Sequence, residues 1–242
     1  MTTARSTWPW QRLNEGNASS HETLATLLEP RPGERWLDVG TGGGGLAFEL
    51  AERGADVVGV DIAEDALEHA RAAAAERALD VTFVRADAQE LPFADGELDG
   101  AASAFGVIFA PDDERAASEL ARVCRRGGRL GLTLMPAASR TANMFETLAR
   151  HGGWSHHPAQ WEARVDTLLG DSFELEIERR ESPAGEREWK WDEAVETFAP
   201  LRGLVERLDE GGVSALRAEL EDVAERYRSV PPAYVLVVGR RR

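Results

Sequence analysis

The sequence predicts an α/β fold in which helices cover both faces of a mostly parallel sheet. Short apolar runs alternate with helical patterns over the first two-thirds of the chain, and a glycine-rich stretch joins the first apolar run to the first helical pattern. This alternation is typical of parallel strands, because each crossover helix returns the chain to the same edge of the sheet. The length of 242 residues suits one large domain.

Seven short apolar runs are predicted as strands. They cover residues 36–39, 56–61, 81–84, 98–105, 129–135, 173–178 and 234–238. Helical spacing of apolar residues predicts helices at about residues 44–53, 63–77, 113–126, 192–210 and 213–227. The third of these helices should end at Gly127 and Gly128, because glycine adopts the left-handed conformation that closes a helix.

Roughly 50 residues separate the last two predicted strands, which is far more than a typical connection. We therefore expect one domain with four parts. These are an N-terminal cap (residues 1–30), a cofactor-binding core (31–182), a helical lid inserted between strands six and seven (183–231) and the last strand (232–242).

The composition argues against several classes of partner. The formal net charge is −15 and Lys190 is the only lysine, so the basic patch that grips nucleic acid is not expected. No apolar run approaches the ~18–20 residues that span a bilayer. The single cysteine, Cys124, can form neither an internal disulfide nor a cysteine metal site. A secretory signal pattern is not found at the N-terminus, and we expect a cytoplasmic protein.

The glycine-rich stretch after the first strand predicts a ligand-binding loop. Gly40, Gly42 and Gly44 fit the spacing of methyltransferases, whereas Gly40, Gly42 and Gly45 fit that of dinucleotide-binding proteins. Asp38 favours the first, since its carboxylate would repel a pyrophosphate but attract the ammonium and sulfonium groups of S-adenosylmethionine. The alternative is that Asp38 only accepts hydrogen bonds from the loop.

Two more carboxylates follow at the ends of the next strands. Asp61 can accept both hydrogen bonds from a ribose diol, or it can cap the helix that begins near Ala63. Asp87, beside a free backbone N–H, can bind the amino edge of adenine, or it can be a simple turn residue. Because the carboxyl ends of the strands form the crevice of an open α/β sheet, three carboxylates there predict a nucleoside-binding site.

With these motifs in place, the sequence resembles the class I methyltransferases, in particular the branch similar to ubiquinone-biosynthesis methyltransferases. The resemblance rests on residues 37–44, 60–66, 87–93, 96–99 and 119–130, in the expected order. It departs at Thr41, where many relatives have Cys or Ala, and at Arg126, where Pro is usual. The resemblance implies a Rossmann-like sheet of seven strands with the last strand antiparallel, and S-adenosylmethionine as methyl donor.

The resemblance also implies positions for individual residues. At the cofactor it places Asp38, Gly40, Thr41 and Gly42 (methionine part), Asp61 and Ile62 (ribose and adenine), Asp87 and Ala88 (adenine), and Ser103 beside the transferred methyl group with Ala104 and Phe105.

Aromatic residues and histidines outside the predicted sheet indicate an acceptor site. We expect an aromatic-lined pocket, with candidate residues Trp8, Trp10, Phe105, Phe109, Trp154, Trp189 and Trp191. The tryptophans can instead pack the lid onto the sheet. His156 or His157 is the candidate general base, although both can be plain loop residues. A metal is not expected, because carboxylate and cysteine partners do not accompany the histidines.

These observations predict an enzyme that transfers a methyl group to an O, N or C nucleophile of a small, apolar or aromatic molecule. Two alternatives remain: a nicotinamide-dependent reductase on the same type of sheet, and a non-catalytic methyltransferase-like binding protein. The sequence does not identify the acceptor or the oligomeric state.

Overall fold

The computed structural model describes residues 10–153, 157–182 and 189–242, with the side chains of residues 10–15, 197, 199 and 200 outside that description. Its strands are Arg35–Val39 (β1), Asp56–Asp61 (β2), Val81–Arg85 (β3), Leu98–Ala104 (β4), Cys124–Leu134 (β5), Phe173–Glu181 (β6) and Ala233–Arg241 (β7). Its helices are Trp10–Leu28 (α1), Gly45–Glu52 (α2), Glu64–Glu76 (α3), Asp113–Val123 (α4), Arg140–Gly152 (α5), Gln160–Leu169 (α6), Trp191–Thr197 (α7), Ala199–Val205 (α8) and Glu210–Arg226 (α9).

The seven strands form one sheet in the order β3-β2-β1-β4-β5-β7-β6. Strands β1 to β5 pair in parallel, and β7 runs antiparallel to both β5 and β6. The predicted Rossmann-like sheet with an antiparallel last strand is confirmed.

Side chains of the central strands alternate between two buried faces of the sheet. On one face, Leu37 and Val39 of β1 belong to a core shared with α4 and α6. On the other, Trp36 belongs to a core shared with α1, α2 and α3. Because both faces are covered, the middle of β2 is a continuous buried apolar run, as expected for a parallel strand.

The predicted end of the third helix is wrong. Helix α4 ends at Val123, and β5 begins at once with Cys124, which pairs with Leu98 of β4. Gly127, with φ of +74°, lies inside this strand, where the pairing of β4 and β5 shifts register. A left-handed glycine is suited to such a bulge as well as to a helix end, and the sequence alone did not distinguish the two.

In the residues that the structure describes, the helical insertion between β6 and β7 contains three helices, α7 to α9, where two were predicted. A proline in the first turn of α8 separates it from α7. This insertion has a core of its own, which includes Leu201, Leu204, Leu216 and Leu220 and also Leu148 of α5. Among the described residues, none of the helices has the length and apolarity needed to cross a membrane.

Helix α5, which the sequence analysis did not predict, therefore packs with the insertion although it precedes β6. Both ends of α5 carry capping residues from which the helix could have been predicted. The Ser139 hydroxyl accepts a hydrogen bond from the Ala142 N–H at 3.1 Å, and Gly153 closes the helix with φ of +69°.

The loop between β1 and α2 touches the turn after β4, backbone against backbone. A Cβ atom on Gly106 would lie 2.5 Å from the Gly40 carbonyl oxygen and 2.6 Å from the Val39 carbonyl oxygen. The Ser103 hydroxyl donates to that Val39 oxygen at 2.6 Å and accepts from the Val107 N–H at 2.8 Å. The Ser103 hydroxyl thus links the ends of β1 and β4, and the two backbones can approach this closely because Gly106 has no side chain.

We predict that Gly106→Ala destabilises the protein, because the new methyl group has only backbone to displace. Overpacking of this kind costs about 1–3 kcal/mol in the free energy of unfolding. The measurement is urea denaturation. The control is Gly203→Ala in α8, where nothing lies within 4 Å of the new atom, and where alanine should stabilise the helix slightly. Equal losses in both variants would contradict the prediction.

Candidate active site at the carboxyl edge of the sheet

The carboxyl ends of the parallel strands form the candidate site. From β1 the chain passes to β2 on one side and later to β4 on the other, so the topological switch point lies between β1 and β4. Four of the eight buried polar side chains among the described residues lie on these strand ends or on the loop after β1: Asp38, Thr41, Ser103 and Thr133. Buried polar groups therefore concentrate where an open α/β sheet binds its ligand.

Asp38 is the carboxylate among these four groups, and it is 1% exposed. Its Oδ2 accepts a hydrogen bond from the Thr41 hydroxyl at 2.7 Å, whereas its Oδ1 has no partner among the described residues. Burial raises the pKa of Asp38 to about 7; the Thr41 hydrogen bond and the nearby Ala47 N–H act against the rise, and the charge of Asp61 adds to it. The Ala47 N–H does not complete a hydrogen bond with Oδ1. An unpartnered buried carboxylate oxygen is suited to a cationic ligand group.

Asp61 connects the glycine loop to the next helix. The Gly42 N–H donates to Oδ2 and the Ala63 N–H donates to Oδ1, each at 2.9 Å. The capping alternative is met only in part, because the N-cap position of α3 is Ala63 and not Asp61. Each carboxylate oxygen can accept a second hydrogen bond. The adjacent Ile62 is 63% exposed, which leaves a large apolar side chain free at this edge.

Asp87 lies in a tight turn after β3. Its Oδ1 accepts hydrogen bonds from the Gln89 side-chain amide and from the Gln89 N–H, both at 2.9 Å, and these bonds hold the pKa of the carboxyl below its usual value. The Glu90 N–H donates to the Asp87 carbonyl oxygen at 3.0 Å. The structural role of Asp87 in the turn is therefore evident, while contact of Asp87 or Ala88 with adenine stays a prediction.

Ser103 and Phe105 occupy the end of β4. The Ser103 hydroxyl forms hydrogen bonds with the backbone of Val39 and Val107, so it has a structural role at this edge. Its contact with the cofactor stays a prediction. Phe105 has φ of +59°, an uncommon conformation for a residue with a side chain. Its ring packs against the cores on both faces of the sheet. Strained backbone of this kind is often found at functional sites.

Three phenylalanines form a row beyond β4 and β5. The Phe109 ring, in the 3-10 turn Val107–Phe109, lies 5.3 Å from the Phe145 ring of α5, which lies 5.2 Å from the ring of Phe198 beside α8. Phe109 is 47% exposed. The sequence analysis named only Phe109, because the other two come from a helix it did not predict and from the insertion.

The predicted tryptophans are not brought together at the crevice in the described residues. Trp189 and Trp191 pack against the core of the insertion, while packing of the lid onto the sheet stays a prediction. The Trp189 indole N–H is buried without a partner among the described residues. Trp8 and Trp154 lie outside the described residues, and Trp10 begins α1 with its side chain outside the description.

Of the two candidate bases, only His157 is described, since His156 lies outside the described residues. The His157 Nδ1 accepts a hydrogen bond from the Ala159 N–H at 3.2 Å, and its Nε2 is buried with no partner among the described residues. With Nδ1 as the acceptor, a neutral ring would carry its proton on Nε2. No group of three or more potential metal ligands forms within residues 10–153, 157–182 and 189–242.

Comparisons with known proteins agree with this geometry. Residues 37–132 match the family model described as a methyltransferase domain. The chain is 41% identical to an uncharacterized protein of Mycobacterium tuberculosis over 146 residues, which are 58% of this chain and 53% of the relative. It is 46% identical to the demethylmenaquinone methyltransferase of Thermus thermophilus over 117 residues, which are 48% of this chain and 53% of the relative. The chain thus spans about half the length of these relatives.

A solved structure extends the likeness to the whole fold. The YcgJ protein from Bacillus subtilis superimposes with a TM-score of 0.65 at 20% identity, over 93% of this chain and 98% of that protein. By its methyltransferase domain at residues 37–132, its relatives and its sheet topology, the chain is similar to the class I S-adenosylmethionine-dependent methyltransferases, in particular to the ubiquinone and menaquinone methyltransferases.

Proposed function

We propose that this chain transfers the methyl group of S-adenosylmethionine to an O, N or C nucleophile of a small apolar or aromatic molecule. The observation that carries the proposal is the unpartnered Oδ1 of Asp38, buried beside the glycine loop at the switch point of the sheet. A cation is the ligand group that this oxygen favours, and the cofactor carries an ammonium group that no dinucleotide has in the corresponding place.

The residues at the edge fit the cofactor in order along the sheet. Asp38 would bind the ammonium group, and Asp61 retains acceptor capacity for the ribose hydroxyls. The exposed Ile62 offers an apolar surface to adenine, and the turn at Asp87 and Ala88 would lie at the amino edge of the base. When bound, the cofactor supplies a sulfonium methyl group that is activated for displacement.

The acceptor end is supported by the aromatic side chains. Phe105 and the row of Phe109, Phe145 and Phe198 present apolar rings beyond β4 and β5, which suits an apolar or aromatic acceptor. Demethylmenaquinone, named in one relative, is a first compound for a turnover screen, together with phenols, amines and oxo acids.

Catalysis in this proposal rests on alignment and on the exclusion of water. Residues 183–231, together with residues 1–20, would close over the crevice as a lid. A general base is a second proposal, with His156 or His157 as the residue. With Nδ1 accepting from Ala159, a neutral His157 would carry its proton on Nε2, so a basic role would require the other tautomer.

The two alternatives differ from the proposal in measurable ways. A nicotinamide-dependent reductase would place a pyrophosphate in the loop beside Asp38, where a buried carboxylate opposes it. A non-catalytic relative would bind the cofactor without turnover. Calorimetry with both cofactors distinguishes the first alternative, and the turnover screen distinguishes the second.

We predict that S-adenosylmethionine and S-adenosylhomocysteine bind in the micromolar range and that NADH does not bind measurably. Asp61→Ala should weaken binding by about 1.5–3 kcal/mol, roughly 10–100-fold, because ribose donors lose their acceptors and Gly42 loses its partner. Isothermal titration calorimetry measures both. Asp56→Ala, at the exposed opposite end of the same strand, is the control. Tight NADH binding without binding of the sulfonium cofactor would overturn the assignment.

The raised pKa of Asp38, about 7, predicts that cofactor binding is coupled to proton release. The ammonium group of the ligand favours the carboxylate, so the carboxyl must lose its proton when the ligand binds. Affinity should therefore fall by up to about tenfold per pH unit below pH 7 and level off above it. Titrations from pH 5.5 to 8.5 test this, with Asp38→Asn as the control that removes the slope. A flat profile in the parent protein would contradict the prediction.

For the histidines, we expect His156→Ala and His157→Ala to leave turnover within a few-fold of the parent and cofactor affinity unchanged, because alignment alone carries the reaction. The measurement uses an acceptor found in the screen. A loss of about 10²–10⁴ in turnover, with a rate that falls as the pH drops through the histidine pKa, would instead establish the general base.

A further inference from the structure

Thr133 of β5 carries a second unpartnered polar group at the same edge of the sheet. Its side chain is fully buried, and its hydroxyl has no hydrogen-bond partner among the described residues. Its carbonyl oxygen accepts the N–H of Phe105, the residue with the strained backbone, at 3.1 Å. A buried hydroxyl without a partner destabilises the folded state, because it has lost its hydrogen bonds to water. The position is therefore suited to a polar ligand group that forms a hydrogen bond with the hydroxyl.

Thr133 and Asp38 project from the same face of the sheet. Asp38 pairs with Ala102 of β4, and Thr133 pairs with Ala104 of the same strand. Both alanines pack in the core that contains Trp36, on the face covered by α1 and α2. Since paired residues in a ladder point to the same side, both unpartnered groups stand on that face. Two small side chains form the floor between them.

The strand geometry sets the separation of the two groups. Two inter-strand steps and two residues along β4 put the Asp38 and Thr133 Cα atoms on the order of 12 Å apart. A few covalent bonds separate the ammonium nitrogen of the cofactor from its methyl carbon, and a nucleophile lies about 3 Å further on. This separation leaves room for the transferable group between a cation at Asp38 and an acceptor at Thr133.

Helix α1 covers this face next to Thr133. Leu28 lies over Gly131, with its Cδ1 only 2.6 Å from where a Gly131 Cβ would be, and α1 packs against β5 and β7. Thr133 lies two residues nearer the carboxyl edge. His21 lies two helical turns before Leu28, on the buried side of α1. Burial lowers the pKa of His21 to about 4, so its ring is neutral near pH 7 and can either donate or accept.

We propose that the Thr133 hydroxyl binds the oxygen or nitrogen of the methyl acceptor and holds it in line with the donor. The inference rests on the proposed function and deepens it: the acceptor is a molecule that bears a polar nucleophile on an apolar body. The hydroxyl supplies one hydrogen bond to that nucleophile, while the phenylalanine row contacts the body.

The test uses two probes that differ only in a hydroxyl group, p-cresol and p-xylene. Their affinities for the protein saturated with S-adenosylhomocysteine are measured by ligand-observed NMR, in the parent, in Thr133→Val and in Thr133→Ser. Thr147→Val is the matched control, because Thr147 is equally buried but lies in α5, where its hydroxyl accepts a hydrogen bond from Arg150 at 3.2 Å. Thermal melting of each variant accompanies the titrations.

We expect the preference for p-cresol over p-xylene to fall about 5–10-fold in Thr133→Val, the value of one hydrogen bond, and to return in Thr133→Ser. It should not change in Thr147→Val. Thr133→Val should melt at or above the parent temperature, because it removes an unpartnered polar group and keeps the shape of the side chain.

Three results would overturn the inference: an unchanged preference in Thr133→Val, a lower melting temperature for that variant, or no binding of either probe. A lower melting temperature would mean that the hydroxyl serves the fold through a buried water molecule. Failure of the proposed function would appear separately, as an absence of S-adenosylhomocysteine binding in the parent.

Discussion

The contact between the ends of β1 and β4 determines the shape of the site. Gly40 and Gly106 approach so closely that a methyl group on either would meet backbone, and the Ser103 hydroxyl links the Val39 carbonyl to the Val107 N–H. This contact positions the glycine loop on one side and the strained Phe105 on the other. The cofactor edge and the acceptor edge are therefore held relative to each other by main-chain atoms, which move little when side chains vary.

The site is assembled from polar groups that the fold leaves incompletely satisfied. Asp38 and Thr133 are buried on one face of the sheet, each with an oxygen that has no partner among the described residues, and burial of a polar atom without a partner opposes folding. Asp61 and Asp87 are different, because their carboxylates hold the glycine loop and a turn, respectively. Asp38 and Thr133 are therefore suited to ligand binding, whereas Asp61 and Asp87 stabilise the loops at the carboxyl edge of the sheet.

The parts of the chain around the proposed site of the methyl acceptor lie largely outside the matched methyltransferase domain, residues 37–132. Helices α5 to α9 follow it, and α5 joins the insertion through a shared apolar core and through a contact between His151 and Glu219 at 3.1 Å. The phenylalanine row connects this helical layer to the turn after β4. The match to the methyltransferase domain consequently covers the glycine loop and the carboxylates after β1, β2 and β3, whereas most of the helical layer lies outside it.

The sequence by itself determined the strands of a mostly parallel α/β sheet, the ligand loop and the carboxylates at three strand ends, because these depend on short-range patterns: apolar periodicity, glycine spacing and charge at strand ends. Tertiary structure alone decided which polar groups remain free. Asp38 and Ser103 look equivalent as strand-end residues, yet one oxygen of Asp38 is unpartnered while the Ser103 hydroxyl is fully engaged. The tryptophan and histidine patterns were ambiguous for the same reason. Packing of the tryptophans in the insertion depends on neighbours that are distant in the chain. The tautomer of His157 depends on local geometry that no sequence pattern encodes.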